Sequence, residues 1–244
     1  MCTITYLPLS KDSFILTSNR DESKVRPTHP PAIEMLKGQR LLYPKDALAG
    51  GTWVCVSEHY RVACLMNGAF EKHPWNPPYR KSRGLVMLDM FTYQRVDDFV
   101  NEFDFAGIEP FTIIVSDNMD LMEFRWDGQQ RHFRRLDASQ QQIWSSASLY
   151  PKVIRDKRER WFRQWLAGRE KFRQEDILEF HRFGGEGDLE NDFVMNRYDI
   201  VQTVSITSIV RKANEAEMYY HDLVEDRITE TSITFTPQQK VISQ

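Results

Sequence analysis

MCTITYLPLSKDSFILTSNRDE, residues 1–22, is the stretch on which the fold turns. Residues 3 to 7 (Thr3, Ile4, Thr5, Tyr6, Leu7) alternate polar and apolar side chains and are rich in β-formers, the period-two signature of a half-buried strand. Lys11-Asp12-Ser13 reads as a turn and Phe14-Ile15-Leu16-Thr17 as a second strand, so residues 2 to 18 read as a hairpin. Asn19-Arg20-Asp21-Glu22 follows at once. An antiparallel hairpin brings its far end back to its beginning, so the tetrad returns to the end where Cys2 starts.

Outward from this hairpin, Pro27, Pro30 and Pro31 punctuate a stretch read as loop. Gly50-Gly51 opens a strand pair at 52–57 and 60–66, joined by a short turn around Glu58-His59. Asn67-Gly68 ends it and begins a long loop. Ser82 is a natural N-cap for a helix over about 83–93, with Leu85, Leu88 and Phe91 on one face; residues 96–103 read as a second short helix. A meander of strands follows at 111–116, 121–126 and 131–136, with turns at Asp117-Asn118 and Asp127-Gly128, then a strand at 142–147. Pro151 opens the clearest helix, with an apolar stripe of Val153, Ile154, Trp161, Phe162, Trp165 and Leu166, and Gly168 where a C-terminal cap belongs. A shorter helix spans 174–182. Gly184-Gly185-Glu186-Gly187 is a loop, and strands at 201–210, 215–221 and 228–236 close the chain.

Strands, two helices, strands, two helices, strands: this order lacks the alternation of a doubly wound parallel sheet. It predicts an α+β protein with two largely antiparallel sheets packed face to face and a helix layer outside each. A length of 244 residues, 41% of them hydrophobic, suits one domain spanning 1–244. With 32 basic and 35 acidic residues the net charge is −3, which argues against a dedicated nucleic-acid surface. The sign-mixed run from Arg155 to Arg163 reads as a solvated helix face. No apolar run approaches a membrane span or a secretory signal. The three cysteines, Cys2, Cys55 and Cys64, are odd in number and show no metal spacing, so a reducing, cytoplasmic setting is expected.

Cys2 is the candidate nucleophile. A small residue after Met1 permits removal of that methionine, leaving a thiol next to a free α-amine. An α-amine has a pKa of ~7.7–8 and serves as a base at neutral pH. Asp21 is placed to hold or orient that amine, and Arg20 to lower the thiol pKa as a nearby cation does. The tetrad also reads as an ordinary turn with Asp21 as an Asx-type cap. Asn67 carries an amide N–H of the kind that stabilises an oxyanion, although Asn-Gly is also common turn chemistry. Cys55 and Cys64 lie in apolar strands and read as core. The six histidines (His29, His59, His73, His132, His181, His221) show no paired metal spacing and read as surface or loop residues.

These residues together resemble the NRDE family, also called the Transport and Golgi organisation protein 2 family. The ordered landmarks are Met1-Cys2 before a strand, Asn19-Arg20-Asp21-Glu22 with Arg26-Pro27, Gly50-Gly51-Thr52-Trp53, Asn67 after an apolar strand, and Ser82-Arg83-Gly84-Leu85 at a helix start. Ser145-Ser146-Ala147 and Thr203-Val204-Ser205 occupy recognisable later places. That family looks like a relative of the cysteine N-terminal-nucleophile (Ntn) hydrolases, including penicillin V acylase and bile-salt hydrolase. The resemblance implies a four-layer αββα sandwich and cleavage of an amide or ester of a small molecule. Cys2, Asp21 and Asn67 would be the catalytic residues, with Asn19, Arg20 and Ser146 in support. Against the hydrolase pattern, Ser18 stands where an Arg is expected, Ser146 is the nearest candidate for a second oxyanion Asn, and the late Arg has no clear match. The resemblance also permits a non-catalytic carrier of haem or lipid, with the Cys2 thiolate as a soft iron ligand.

Overall fold

The computed structural model describes residues 3–237; Cys2 lies outside them. In chain order the elements are β1 (Thr3–Ser10), β2 (Ser13–Glu22), β3 (Thr28–Leu36), β4 (Gln39–Asp46), β5 (Val54–Ser57), β6 (Arg61–Asn67), α1 (Arg83–Met90) and α2 (Val96–Glu102). Then come β7 (Phe111–Asp117), β8 (Asp120–Trp126), β9 (Arg131–Leu136), β10 (Gln142–Ser145), α3 (Lys152–Leu166), α4 (Gln174–Phe183), β11 (Asn196–Arg197), β12 (Val201–Arg211), β13 (Glu215–Asp222) and β14 (Arg227–Thr234). One sheet runs β10-β1-β2-β12-β13-β14, with β11 beside β12; the other runs β3-β4-β5-β6-β7-β8-β9.

Strand alternation sorts the side chains into three apolar clusters. Ile4, Tyr6, Phe14 and Leu16 face the other sheet and meet Leu42, Val54, Val62, Cys64 and Ile114. Leu7 and Ile15 turn the opposite way, onto Phe162 of α3 and Ile177 and Phe180 of α4. On the far side of the second sheet, Leu41, Cys55, Ala63 and Ile113 pack with Val86 and Met87 of α1 and Phe99 of α2. Three clusters between four layers make the αββα sandwich expected from the element order. Phe14 is fully buried, and truncating such a ring to Ala costs about 3–5 kcal/mol.

Polar contacts also cross between the sheets. Arg20 on β2 meets Asp46 on β4 at 2.7 Å. Trp144 Nε1 on β10 donates to Glu123 Oε2 on β8 at 2.9 Å. Ser146 Oγ donates to the Asn67 carbonyl at 2.8 Å.

Some expectations need correction. The proline stretch is not loop: Thr28–Leu36 is an edge strand, with a register break between His29 and Ala32 that absorbs Pro30-Pro31. An edge strand has one unpaired side, so proline is tolerated there. The tetrad is not a turn after β2 but its last four residues, and Asn19, Arg20 and Asp21 are buried. Val153 is exposed, and Arg158 takes the inward place on α3. The Arg155–Arg163 run is therefore not wholly a solvated face: Arg158 sits four residues after Ile154 and four before Phe162, on the packed stripe. His181 and His221 are buried rather than at the surface.

Candidate active site

The β1–β2 register decides what surrounds the chain start. Thr3 pairs with Asn19 on one side and with Ser145 of β10 on the other. The next residues outward on those two strands are Arg20 and Ser146. Cys2 lies outside the described residues; its peptide bond to Thr3 ties it to this point.

The two faces of β2 differ in company. On the helix-facing side, Asp21 is 5% exposed. Its Oδ2 accepts from the Tyr150 hydroxyl at 2.7 Å and its Oδ1 from Thr203 Oγ1 at 2.6 Å. Thr203 Oγ1 also receives the Met195 N–H at 2.9 Å. Asn19 donates through Nδ2 to the carbonyls of Phe193, at 2.7 Å, and His181, at 3.1 Å. Those two bonds fix its amide orientation, so Oδ1 accepts from His181 Nδ1 at 2.5 Å. His181 therefore carries its proton on Nδ1, and Nε2 accepts from Thr5 Oγ1 at 2.7 Å. Burial, aided by the charge of Arg158, pushes the His181 pKa down to about 3, so the ring is neutral. Asn19 is thus an anchor between β2 and α4 rather than a group free for chemistry.

Arg158 was missed by sequence reasoning, although its place in the apolar stripe of α3 was a signal. Its guanidinium is fully buried and stacks 3.7 Å over the Tyr150 ring. It donates to Thr3 Oγ1, to the Asn191 carbonyl and, at 2.6 Å, to the Asp192 carbonyl. A buried cation thus touches the residue next to Cys2. Tyr150 was also missed; it lies one residue before the Pro151 that marks the helix start.

Arg20 points to the other face of β2. It is 4% exposed, paired with Asp46, bonded to Thr28 Oγ1 at 3.1 Å, and stacked 4.4 Å over Trp53. Burial weakens its hold on its proton. Arg20 and Asn67 both line a cleft of about 390 Å³, near the lower end of ligand-pocket sizes. The Asn67 side-chain amide has no hydrogen-bond partner among the described residues, while its carbonyl is held by Ser146. The Ser146 hydroxyl is spent on that bond. Gly68 follows at φ +80°, and a Cβ there would come within 2.4 Å of Ser148 Oγ, so only glycine lets Asn67 sit at this corner. The back wall of the cleft is another close approach: a Cβ on Gly51 would meet the Gly84 carbonyl carbon at 2.5 Å. Ser82 caps α1 here through the Leu85 N–H.

Burial pushes the Cys64 thiol up to about 12 and the Cys55 thiol well above its ordinary value. Neither can supply thiolate at neutral pH. Among the described residues no group of His, Cys, Asp and Glu is arranged to hold a metal ion. Among the described residues the cleft lining includes no His, Met or Cys, and its clearly apolar side chains are Ala49, Trp53 and Leu65.

A family model described as Transport and Golgi organisation 2 matches residues 1–219. The chain belongs to that family. No curated protein sequence matches it. Among solved structures, this Transport and Golgi organisation 2 family member is similar to a Caenorhabditis elegans N-acylethanolamine-hydrolyzing acid amidase ortholog. The TM-score is 0.60 and the identity 13%, over 85% of this chain and 92% of that one. A variant of conjugated bile acid hydrolase from Clostridium perfringens matches with TM-score 0.59 and 8% identity, over 99% of this chain and 100% of that one. A second variant of the same hydrolase gives TM-score 0.57 and 8% identity over 98% and 97%. At these identities the family member shares the fold of those hydrolases. No helix among its described residues is long and apolar enough to cross a membrane.

Proposed function

We propose that this protein is an N-terminal cysteine hydrolase that cleaves an amide or ester of a small molecule after loss of Met1. The observation that supports this most is the pairing of Thr3 with Asn19 and Ser145. The Cα of Cys2 is about 3.8 Å from that of Thr3, and Thr3 pairs with Asn19, which precedes Arg20 and Asp21, and with Ser145, which precedes the Ser146 that bonds the Asn67 carbonyl. The likeness in fold to an acid amidase and a bile acid hydrolase agrees with the reaction class.

The α-amine takes the Cys2 thiol proton, and the sulfur attacks the substrate carbonyl carbon. The Asn67 amide N–H donates to the oxyanion that forms. Collapse breaks the C–N or C–O bond, and the α-ammonium gives its proton to the leaving amine or alcohol. Water, deprotonated by the same amine, then attacks the thioester carbonyl, releasing the acid and restoring the thiol. Asp21, fixed by Tyr150 and Thr203, orients the ammonium. The buried Arg158 charge on Thr3 favours the thiolate.

Intact-protein mass spectrometry with a thiol-directed acyl probe tests this. The expected result is a chain beginning at Cys2 that takes one label, with none on Cys2→Ala. Retention of Met1, or equal labelling of the Cys2→Ala protein, would refute the proposal.

A further inference from the structure

The cleft beside Asn67 has an unusual balance of donors and acceptors. Three guanidinium groups line it, those of Arg20, Arg26 and Arg83, with the ammonium of Lys81. Each guanidinium carries five N–H donors. To the described residues they make few hydrogen bonds: Arg20 to Thr28 and Asp46, Arg26 to Glu22, and Arg83 to the Pro110 carbonyl. Arg26 Nε stands 2.7 Å from Asp46 Oδ2, yet outside hydrogen-bond geometry.

The lining carboxylates are in the opposite condition. Asp46 Oδ1 accepts the N–H groups of Leu48 and Ala49, and its Oδ2 is held by Arg20. Glu22 takes the Ser23 N–H on one oxygen and Arg26 on the other. Glu109 faces His73 at 3.1 Å and Arg83 at 3.1 Å. Every carboxylate oxygen on the wall already faces a nitrogen at 3.1 Å or less, whereas the guanidiniums keep donors to spare. The start of α1, whose first turn has no acidic residue, opens onto the same space and adds its positive end.

We infer that this cleft receives the carboxylate of the substrate, so that the preferred substrate is a small amide or ester bearing one free carboxylate. The inference rests on the proposed hydrolase reading and narrows its substrate class. A single negative charge suits the wall better than two. Four cations line it against three carboxylates, and the partner of Lys81, Asp89, stands outside the lining. Among the described residues the lining offers no apolar trough for a long acyl chain or a steroid. Ala49 and Leu65 are small contributions, and the Trp53 ring is covered by the Arg20 guanidinium.

Binding to the Cys2→Ala protein tests the inference without turnover. Calorimetric titration compares N-benzoylglycine, a monocarboxylate, with the neutral N-benzoylglycinamide and with inorganic phosphate. The carboxylate is expected to bind at least about tenfold more tightly than the amide, an advantage that falls with added salt as exposed charge pairs are screened. Arg83→Gln is expected to erase most of that advantage. Lys81→Gln, at a half-exposed side chain, is expected to reduce it and serves where Arg83→Gln fails to fold. Equal binding of acid and amide, no binding of the acid at millimolar concentration, or phosphate binding as tightly as the acid would each overturn the inference. The two readings fail separately. Cys2 acylation without a carboxylate preference removes this one alone, and carboxylate binding without Cys2 acylation removes the hydrolase proposal and leaves a carboxylate-binding cleft.

Discussion

The two faces of β2 run along the same ten residues and are built to opposite rules. On the helix-facing side, Asn19 and Asp21 sit in a closed network whose members satisfy one another through His181, Thr5, Tyr150 and Thr203. On the side facing the other sheet, polar groups are buried with poor company. Thr207 Oγ1 and Trp53 Nε1 have no hydrogen-bond partner among the described residues. Ser18 Oγ stands beside the Cys64 thiol and Ser205 Oγ beside the Tyr220 hydroxyl, yet neither has a partner in hydrogen-bond geometry among the described residues. A satisfied network holds a backbone still, and an unsatisfied one leaves donors for something else to use. The proposed site lies where these two faces meet, at the start of β1.

This contrast can be broken from either side. The largest effect is expected at Asn67, the proposed oxyanion donor, whose side-chain amide has no hydrogen-bond partner among the described residues. Asn67→Ala should slow Cys2 acylation by ~10²–10³ with an unchanged melting temperature, read by stopped-flow labelling and calorimetry. A matching loss of stability would return Asn67 to a purely structural part.

The closed face should show itself in pH. The unfolded chain protonates His181 near pH 6.5, whereas the folded ring stays neutral until about pH 3. The unfolded state therefore binds more protons between those values, and stability falls as pH drops through that window. The share due to His181 is on the order of 3 kcal/mol between pH 7 and pH 4. His181→Gln should remove that share of the slope in denaturant midpoints; parallel curves for the two proteins would contradict the burial argument. Next in size, Thr203→Val takes a partner from both Asp21 and the Met195 N–H. It should cost about 2 kcal/mol and also slow acylation, through a loosened Asp21. The smallest change belongs to the open face. Thr207→Val removes a hydroxyl that bonds nothing among the described residues and should leave stability level or raise it by less than about 1 kcal/mol. A clear loss there would reveal a partner for Thr207.

The layers were legible because hairpins and amphipathic helices leave periodic traces. The meander from Phe111 to Leu136 and the helix after Pro151 fall where alternation and capping residues place them. β3 and β4 left no such trace. Prolines break the period in β3, and Gln39–Asp46 mixes buried leucines with charge on a strand covered unevenly. Within the site, the approach of Asn19 to the chain start follows from hairpin geometry alone. Arg158 and Tyr150 do not, because their meeting with Thr3 and Asp21 depends on how α3 docks on the sheet. Sequence spacing carries no information about that docking angle. His181 was misread for a related reason: an imidazole is buried neutral only when long-range partners take both nitrogens, and Asn19 and Thr5 are far away in sequence.

The contacts from Arg20 to Asp46, Trp144 to Glu123 and Ser146 to Asn67 carry a consequence for alignment. Apolar layers in contact specify how much surface is covered but only weakly how far one may slide along the other. A hydrogen bond has a length tolerance of a few tenths of an ångström. These contacts therefore act as dowels between two plates. The proposed nucleophile precedes β1 of one plate and the proposed oxyanion donor ends β6 of the other, and the dowel that holds Asn67 itself is Ser146. A variant such as Ser146→Ala would keep every side chain of the proposed catalytic set and yet let their spacing drift, so a gauge of distance between the sheets would register the damage before any measure of folding did.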